Sequence, residues 1–317
     1  MKIKIDGFVL SILATVVLAY FVPFFGTPNS PISMDSISHW GIALIFFFYG
    51  LKLSPDKLRA GLSNWKLHVL VQASTFVLFP LLVLLLKPFA PAAALYQQLW
   101  LGLFFMAALP STVSSSVVMV SLAKGNVAAA IFNASISGII GIAITPLWMG
   151  LFVDANAAAF DLTSVYTDLL LQILLPVGLG LLLQKFLGAW AMRYATALNY
   201  FDKSIILMII YKSFATAFTD GLFESISWPL LGGLLVVVLL VFFIAYQLIQ
   251  KTAKALGFSE ADQITATFCG SKKSLVHGTV FSAVLFAKSP YLGLILLPIM
   301  MYHALQILII SFIAQKK

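Results

Sequence analysis

The sequence predicts an all-α integral membrane protein with ten transmembrane helices, and three observations carry that prediction. Hydrophobic residues make up 61% of the 317 residues and charged residues only 9%, with a mean hydropathy of +1.03. Soluble domains carry about a quarter charged residues, so a globular enzyme with a large core is excluded. Apolar runs of spanning length recur along the whole chain, and no polar stretch between them could fold as a separate domain. Finally, the basic residues favour one side of those runs.

The ten segments lie at about 8–25, 37–53, 67–87, 97–123, 127–153, 165–186, 201–218, 228–250, 261–287 and 290–314, the second and seventh being the shortest. With the N-terminus inside, the cytoplasmic side receives Lys2, Lys4, Lys52, Lys57, Arg59, Lys66, Lys124, Lys185, Arg193, Lys203, Lys251, Lys254, Lys316 and Lys317. The outer side receives Lys87 and Lys288, and Asp154, Asp161, Asp220 and Glu224 fall in or beside outer loops. That bias is what the positive-inside rule demands of an even number of spans, so both termini are expected in the cytoplasm, with the chain in the cell (inner or plasma) membrane. The net charge of +8 is then loop anchoring and implies no nucleic-acid partner. Cys269 is the only cysteine, which excludes an internal disulfide and a cysteine-based zinc cluster. Met1-Lys-Ile-Lys-Ile-Asp6 runs into an apolar segment with no small-residue cleavage site, so no cleavable signal is expected.

Ten spans divide into five and five, and an odd number per half makes related halves sit upside down to each other. The expected repeats are 1–153 and 154–317. Ser121-Leu-Ala-Lys-Gly-Asn126 closes the fourth span and Leu285-Phe-Ala-Lys-Ser-Pro290 closes the ninth, placing Lys124 and Lys288 in matching positions on opposite faces. Between spans, Ser54-Pro-Asp-Lys-Leu-Arg59 reads as a capped start of a short interfacial helix with Pro55 at its first position. Ser259-Glu-Ala-Asp262 reads as the cap that opens the ninth span.

The ninth span carries the most informative stretch, Ala266-Thr-Phe-Cys-Gly-Ser-Lys-Lys-Ser-Leu-Val-His-Gly278. An ammonium at a helix centre costs about 3 kcal/mol on insertion scales, and Lys272 and Lys273 are two of them. Snorkelling to an interface works within a turn or two of a helix end, and these lysines lie deeper than that unless the helix is broken. Gly270, Ser271, Ser274 and Gly278 around them loosen a helix and offer hydroxyls. The fourth span supplies a counterpart in Pro110 followed by Ser111, Thr112, Ser114, Ser115 and Ser116. A proline alone needs only a kink, whereas five hydroxyls with carbonyls freed by unwinding could line a polar cavity. Two interrupted spans in corresponding places of two halves are the sequence pointer to a transporter's binding site.

Other spans add to this. Asn133, Ser137 and Gly141 share a face of the fifth span; Gly138 and Gly141 read as helix packing, and Asn133 as facing the cavity. Gln72, Ser74 and Thr75 lie in the third span. Lys212 lies near the middle of the seventh, too far from Asp220 and Glu224 to pair with either on a straight helix, so it is either a snorkelling or a functional lysine. His39 and His68 sit near span ends. His277 is one turn beyond Lys273 and is a proton-relay candidate, and His303 lies inside the tenth span. No histidine pair has metal-ligand spacing, no Gly-rich phosphate loop precedes a helix, and no paired intramembrane carboxylates suggest proteolysis, so no metal or cofactor is expected.

These residues together resemble the bile acid:sodium symporter family over nearly the whole chain. Tyr49-Gly-Leu-Lys-Leu-Ser-Pro55, followed by a third span ending near Pro80, is similar to the family's second-to-third-span passage. Pro110-Ser-Thr-Val-Ser-Ser-Ser116 with Leu122-Ala-Lys-Gly-Asn-Val127 is similar, with one residue inserted, to its Pro-Gly-Gly-Thr, Ser-Asn and Ala-Arg-Gly-Asn-Val signature. Tyr302-His303 matches an aromatic-His pair in its last span. The resemblance implies a four-helix panel (about 8–53 and 165–218) and a six-helix core (about 67–153 and 228–314), with broken fourth and ninth helices that cross at the ion sites. It also exposes departures. The Glu and Gln that bind two sodium ions in coupled members correspond to Ser271 and Leu275 here, and the Ser-Asn pair to Ser115 and Ser116. Two fifth-span ligand positions correspond to Ala130 and Ala134. The chain therefore resembles a divergent branch, found in bacteria and animals, with a Gly-Ser-Lys-Lys-Ser ninth span.

The expected function is secondary transport of a small organic anion by alternating access between panel and core. Two ammonium groups without a carboxylate repel a sodium ion, by on the order of 4 kcal/mol per pair at close range and an effective dielectric of about 20. A lysine ammonium is therefore expected in roughly the place of a sodium ion, ligated by helix-end carbonyls and fourth-span serines. Either lysine could instead meet the substrate's carboxylate or sulfate. Proton coupling through a lysine or His277, or uniport, would replace the sodium gradient. A channel-like or regulatory protein on the same fold stays open; saturable counterflow argues against it. An intramembrane enzyme lacks any visible nucleophile–base or metal constellation.

Overall fold

The structure, a computed structural model, describes residues 7–27, 30–31, 33–53, 64–112, 114–152, 167–224, 226–287 and 289–316. Among these residues all regular structure is helical. In chain order the helices are α1 (Gly7–Phe21), α2 (Met34–Lys52), α3 (Trp65–Phe89, ending in a 3-10 turn), α4 (Ala94–Ala108), α5 (Ser114–Leu122) and α6 (Val127–Gly150). There follow α7 (Thr167–Arg193), α8 (Ala195–Thr219), α9 (Trp228–Ala255), α10 (Glu260–Gly270), α11 (Leu275–Leu285) and α12 (Leu292–Ala314).

Six of these, α2, α3, α6, α7, α9 and α12, are long and apolar enough to cross a membrane, and α1 and α4 are shorter apolar helices. The fourth and ninth sequence segments each hold two short helices, α4 with α5 and α10 with α11, with non-helical backbone at 109–112 and 271–274. The seventh is a 25-residue helix that starts before the apolar run. Asp202 and Lys203 shorten that run in the sequence, but Asp202 is paired with Lys52 at 3.4 Å, so the polar residues do not end the helix. The stretch from Ser54 to Arg59 and Lys288 lie outside the described residues.

The chain groups into two compact units. Unit 1 takes Met1–Ser54, Val153–Ser225 and Thr279–Leu294, and unit 2 takes Pro55–Phe152, Ile226–Gly278 and Ile295–Lys317. In unit 1, α2 packs along α7, while α1 and α2 pack on α8. A Cβ on Gly50 would strike the Val177 carbonyl, and one on Gly180 would strike the Phe47 carbonyl, so α2 and α7 cross backbone against backbone. Gly180→Val is expected to destabilise by about 3 kcal/mol, because forced atoms in a packed crossing displace backbone. Gly178→Val, at a position with nothing within 4 Å, should melt like the parent. Thermal melts of the two purified variants check this pair.

Unit 2 is built from α3 to α6, α9, α10 and the longer part of α12. On α9 the face of Leu234, Val238, Val241, Phe242, Ala245 and Ile249 is buried, while Val236, Leu240, Phe243, Ile244 and Leu248 are exposed. The polarity of an aqueous surface is missing from that outer stripe, which suits hydrocarbon. Three helix starts meet at one carboxylate. Asn64 caps α3, Asn126 caps α6, and their side-chain amides each donate to Asp262, in the first turn of α10, at 2.9 Å. Ser259 caps α10 as its sequence suggests, accepting from the Asp262 N–H at 3.2 Å. A carboxylate is stabilised where helix N-termini converge.

Pro80 and Pro110 stand where α3 and the fourth segment lose regular helix, whereas Pro146 and Pro298 sit inside continuous helices. In α3 the turn Ser74–Leu78 is a π turn, and the Phe79 N–H bonds to the Ser74 carbonyl. Pro80 has no N–H, so the carbonyls of Thr75 and Phe76 lose their helical donors. Trp148 Nε1 supplies one to Phe76 at 2.8 Å. The donor for Thr75 comes from the site described next.

Candidate ion and substrate site

The break between α4 and α5 leaves five consecutive carbonyls to be satisfied, and each finds a partner. Met106 accepts from the Leu109 N–H, and Ala108 accepts from Thr145 Oγ1 at 2.8 Å. Pro110 has no N–H, and the Ser111 N–H turns to Ser137 Oγ at 3.0 Å, so the Ala107 carbonyl is left without its helical donors. Lys273 Nζ donates to Ala107 at 2.6 Å, to Leu109 at 2.9 Å and to Thr75 at 2.6 Å. The Pro110 carbonyl accepts from the Ser274 N–H at 2.9 Å.

The three protons of one ammonium thus meet three carbonyls, one at the π turn of α3 and two at the end of α4. The Nζ of Lys273 also stands 4.4 Å from the centroid of the Phe79 ring. The side chain is 0% exposed, and among the described residues neither Lys272 nor Lys273 is paired with a carboxylate. What compensates the charge is the negative end of α4, the loose carbonyls of the π turn and one aromatic face.

The second break, between α10 and α11, is tied down as completely. Ser111 Oγ donates to the Cys269 carbonyl and Tyr302 Oη to that of Ser271, each at 2.6 Å. Gln306 brackets Lys273, its Oε1 accepting from the main-chain N–H at 2.8 Å and its Nε2 donating to the carbonyl at 2.7 Å. Gln306 Nε2 also meets His303 Nδ1 at 3.1 Å. Two stretches that would be costly to bury unsatisfied therefore bond to each other and to α12.

Lys272 is bound differently. It too is 0% exposed, but among the described residues its Nζ donates only to the Ser115 carbonyl, at 2.8 Å. Beside that carbonyl, Thr112 Oγ1 bonds the hydroxyls of Ser115 and Ser116, both at 2.8 Å. Ser271 Oγ is fully buried and has no hydrogen-bond partner among the described residues.

The remaining sequence candidates fall elsewhere or act otherwise. Val113 and the side chain of Ser114 lie outside the described residues. Fourth-span hydroxyls do not hold the Lys273 ammonium; carbonyls do. Asn133 does not reach the lysines; its Nδ2 meets His68 Nδ1 and donates to the Ala129 carbonyl, both at 2.9 Å, while Gln72 Nε2 donates to its Oδ1 at 3.2 Å. His68 is therefore a buried member of a polar cluster between α3 and α6. Thr75 contributes its carbonyl, whereas its hydroxyl donates back to Val71 at 2.8 Å. His277 shares no helix face with Lys273, because residues 271–274 are not helical; its Nδ1 bonds Ser274 Oγ at 2.9 Å. Lys212 lies in unit 1 and pairs with Asp35. Gly141 packs on Pro110, as its small size suggests.

Four contributing residues were missed from sequence. Gln306 is the lone amide in an apolar run, one turn after His303, and that isolation was the available signal. Phe79 stands next to Pro80, which marks the π turn. The carbonyls of Ala107 and Leu109 carry no residue-type signal, and only the position of Pro110 points to them.

Two broken helices wrapped around buried cationic and hydroxyl groups, in a chain of apolar helices, define the class as a membrane transporter. The chain belongs to the SBF-like CPA transporter family, a bile acid:sodium symporter group, which it matches over residues 6–317. It is thus multi-pass in the membrane. It is 40% identical over 311 residues to protein PA2026 of Pseudomonas aeruginosa, covering 98% of this chain and 92% of the relative. It is 31% identical over 314 residues to sodium/bile acid cotransporter 7 of Danio rerio, covering 97% and 92%. It is 30% identical over 314 residues to sodium/bile acid cotransporter 7-B of Xenopus laevis, covering 97% and 90%.

Proposed function

We propose that the chain is a secondary active transporter of a small organic anion, working by alternating access, in which a lysine ammonium replaces the bound sodium ion. The observation that carries this reading is Lys273 Nζ among three main-chain carbonyls with no carboxylate partner among the described residues. Oxygen ligands at these positions suit a monovalent cation, and a covalently attached ammonium cannot leave with a gradient. Coupling then runs on protons, or the transporter is a uniporter. The reading includes ten spans in two inverted five-helix repeats, 1–153 and 154–317, with both termini on the cytoplasmic side of the inner or plasma membrane. Breaks in the fourth and ninth segments support it. The grouping of 7–53 with 167–224, and of 64–152 with 226–278 and 295–316, supports the panel and core, whereas 279–294, expected in the core, groups with the former.

The organic anion is suggested by the cationic site and by the bile acid in the relatives' names. Uptake into proteoliposomes is the test, with radiolabelled organic anions, taurocholate included, under imposed sodium or pH gradients. Saturable uptake and counterflow are expected, with rates unchanged when choline replaces sodium. Uptake that needs a sodium gradient would overturn the coupling, and no saturable counterflow of any anion would overturn the transporter reading.

A further inference from the structure

We infer that the adjacent lysines divide the work: Lys273 is a permanent internal cation, and Lys272 is the ammonium that receives the carboxylate, sulfonate or sulfate of the transported solute. The inference rests on the reading of the chain as an organic-anion transporter and deepens it.

The two side chains are equally buried but unequally satisfied. Lys273 has given all three protons to carbonyls, has a ring beside it, and has both of its main-chain groups held by Gln306. Moving it would orphan three carbonyls at once. Among the described residues Lys272 gives one proton, to Ser115, and has two left. Around that acceptor, Thr112, Ser115 and Ser116 carry three hydroxyl protons and bond one another twice, so among the described residues one proton remains to be donated. Ser271 Oγ, of the residue before Lys272, is a buried hydroxyl without a partner among the described residues.

Spare donors and a positive charge, with no anion among the described residues, match what a bound carboxylate or sulfonate needs: several N–H and O–H groups and one opposite charge. Accessibility points the same way. Ser115 is half-buried, whereas the carbonyls around Lys273 are in fully enclosed positions. Lys272 is therefore the side chain that can turn toward an arriving solute at small cost.

The experiment compares thermal melts of the purified full-length protein with Lys272→Met, Lys272→Arg and Lys273→Met. The probes are choline salts of benzoate, 3-phenylpropionate and taurocholate, each set against its uncharged amide. For the parent, at least one anion should raise the midpoint by about 3 °C or more while its amide does not. Lys272→Met should melt within about 2 °C of the parent and need at least about tenfold more anion for the same shift, and Lys272→Arg should keep the response. Lys273→Met should lose about 5–10 °C with no anion present. An unaltered anion response in Lys272→Met, equal melting of the two Met variants, or no anion shifting the parent would each overturn the division. Counterflow is scored separately, so anion binding without transport would count against the transporter reading and leave the roles of the lysines standing.

Discussion

Lys273→Met is expected to lower the free energy of unfolding by about 3 kcal/mol or more. The methionine side chain fits the volume but donates nothing. Thr75, Ala107 and Leu109 would then present unpaired carbonyls in a site with no exposed surface. Each such group costs about 1–3 kcal/mol, and relief from burying an ammonium offsets only part of the sum. Lys273→Arg should fare little better. A planar guanidinium cannot direct three donors to carbonyls arranged around a single nitrogen. Denaturant or thermal unfolding with size-exclusion chromatography would show both variants less stable than Lys272→Met.

Gln306→Leu should cost about 2–4 kcal/mol for a related reason. One side-chain amide satisfies both the N–H and the carbonyl of Lys273, at 2.8 and 2.7 Å, and leucine satisfies neither. The backbone at the second break would then have to move, taking the Lys273 ammonium off its carbonyls. Gln306→Glu is the informative control, since a carboxylate still accepts from the N–H but cannot donate to the carbonyl. It should melt between Gln306→Leu and the parent, and melts of the three proteins decide it.

How much could be read in advance follows from where the information sits. Apolar length and the lysine bias belong to whole segments, so the helices in unit 2 begin and end close to where the residues suggest. Pro110 with its serines, and Gly270 with Lys272 and Lys273, mark both breaks because each contradicts its surroundings. What the residues do not announce is which main-chain oxygens a break releases. Thr75, Ala107 and Leu109 matter for their carbonyls, and a carbonyl is the same in every residue. The pairing of Lys212 with Asp35 was hidden because the two are distant in sequence and only the packing of α2 on α8 joins them. His277 was misplaced by extending helical spacing across a stretch that is not helical.

The central claim is that the Lys273 ammonium stands where a metal cation would otherwise sit, and one comparison tests it most directly. Thermal midpoints of the parent and of Lys273→Ala would be measured in sodium chloride and in choline chloride at equal ionic strength. The account predicts a parent indifferent to the choice of salt and a truncated variant, its carbonyl cage vacated, that sodium stabilises and choline does not. A parent that gains stability from sodium, beside a variant that ignores it, would contradict the account.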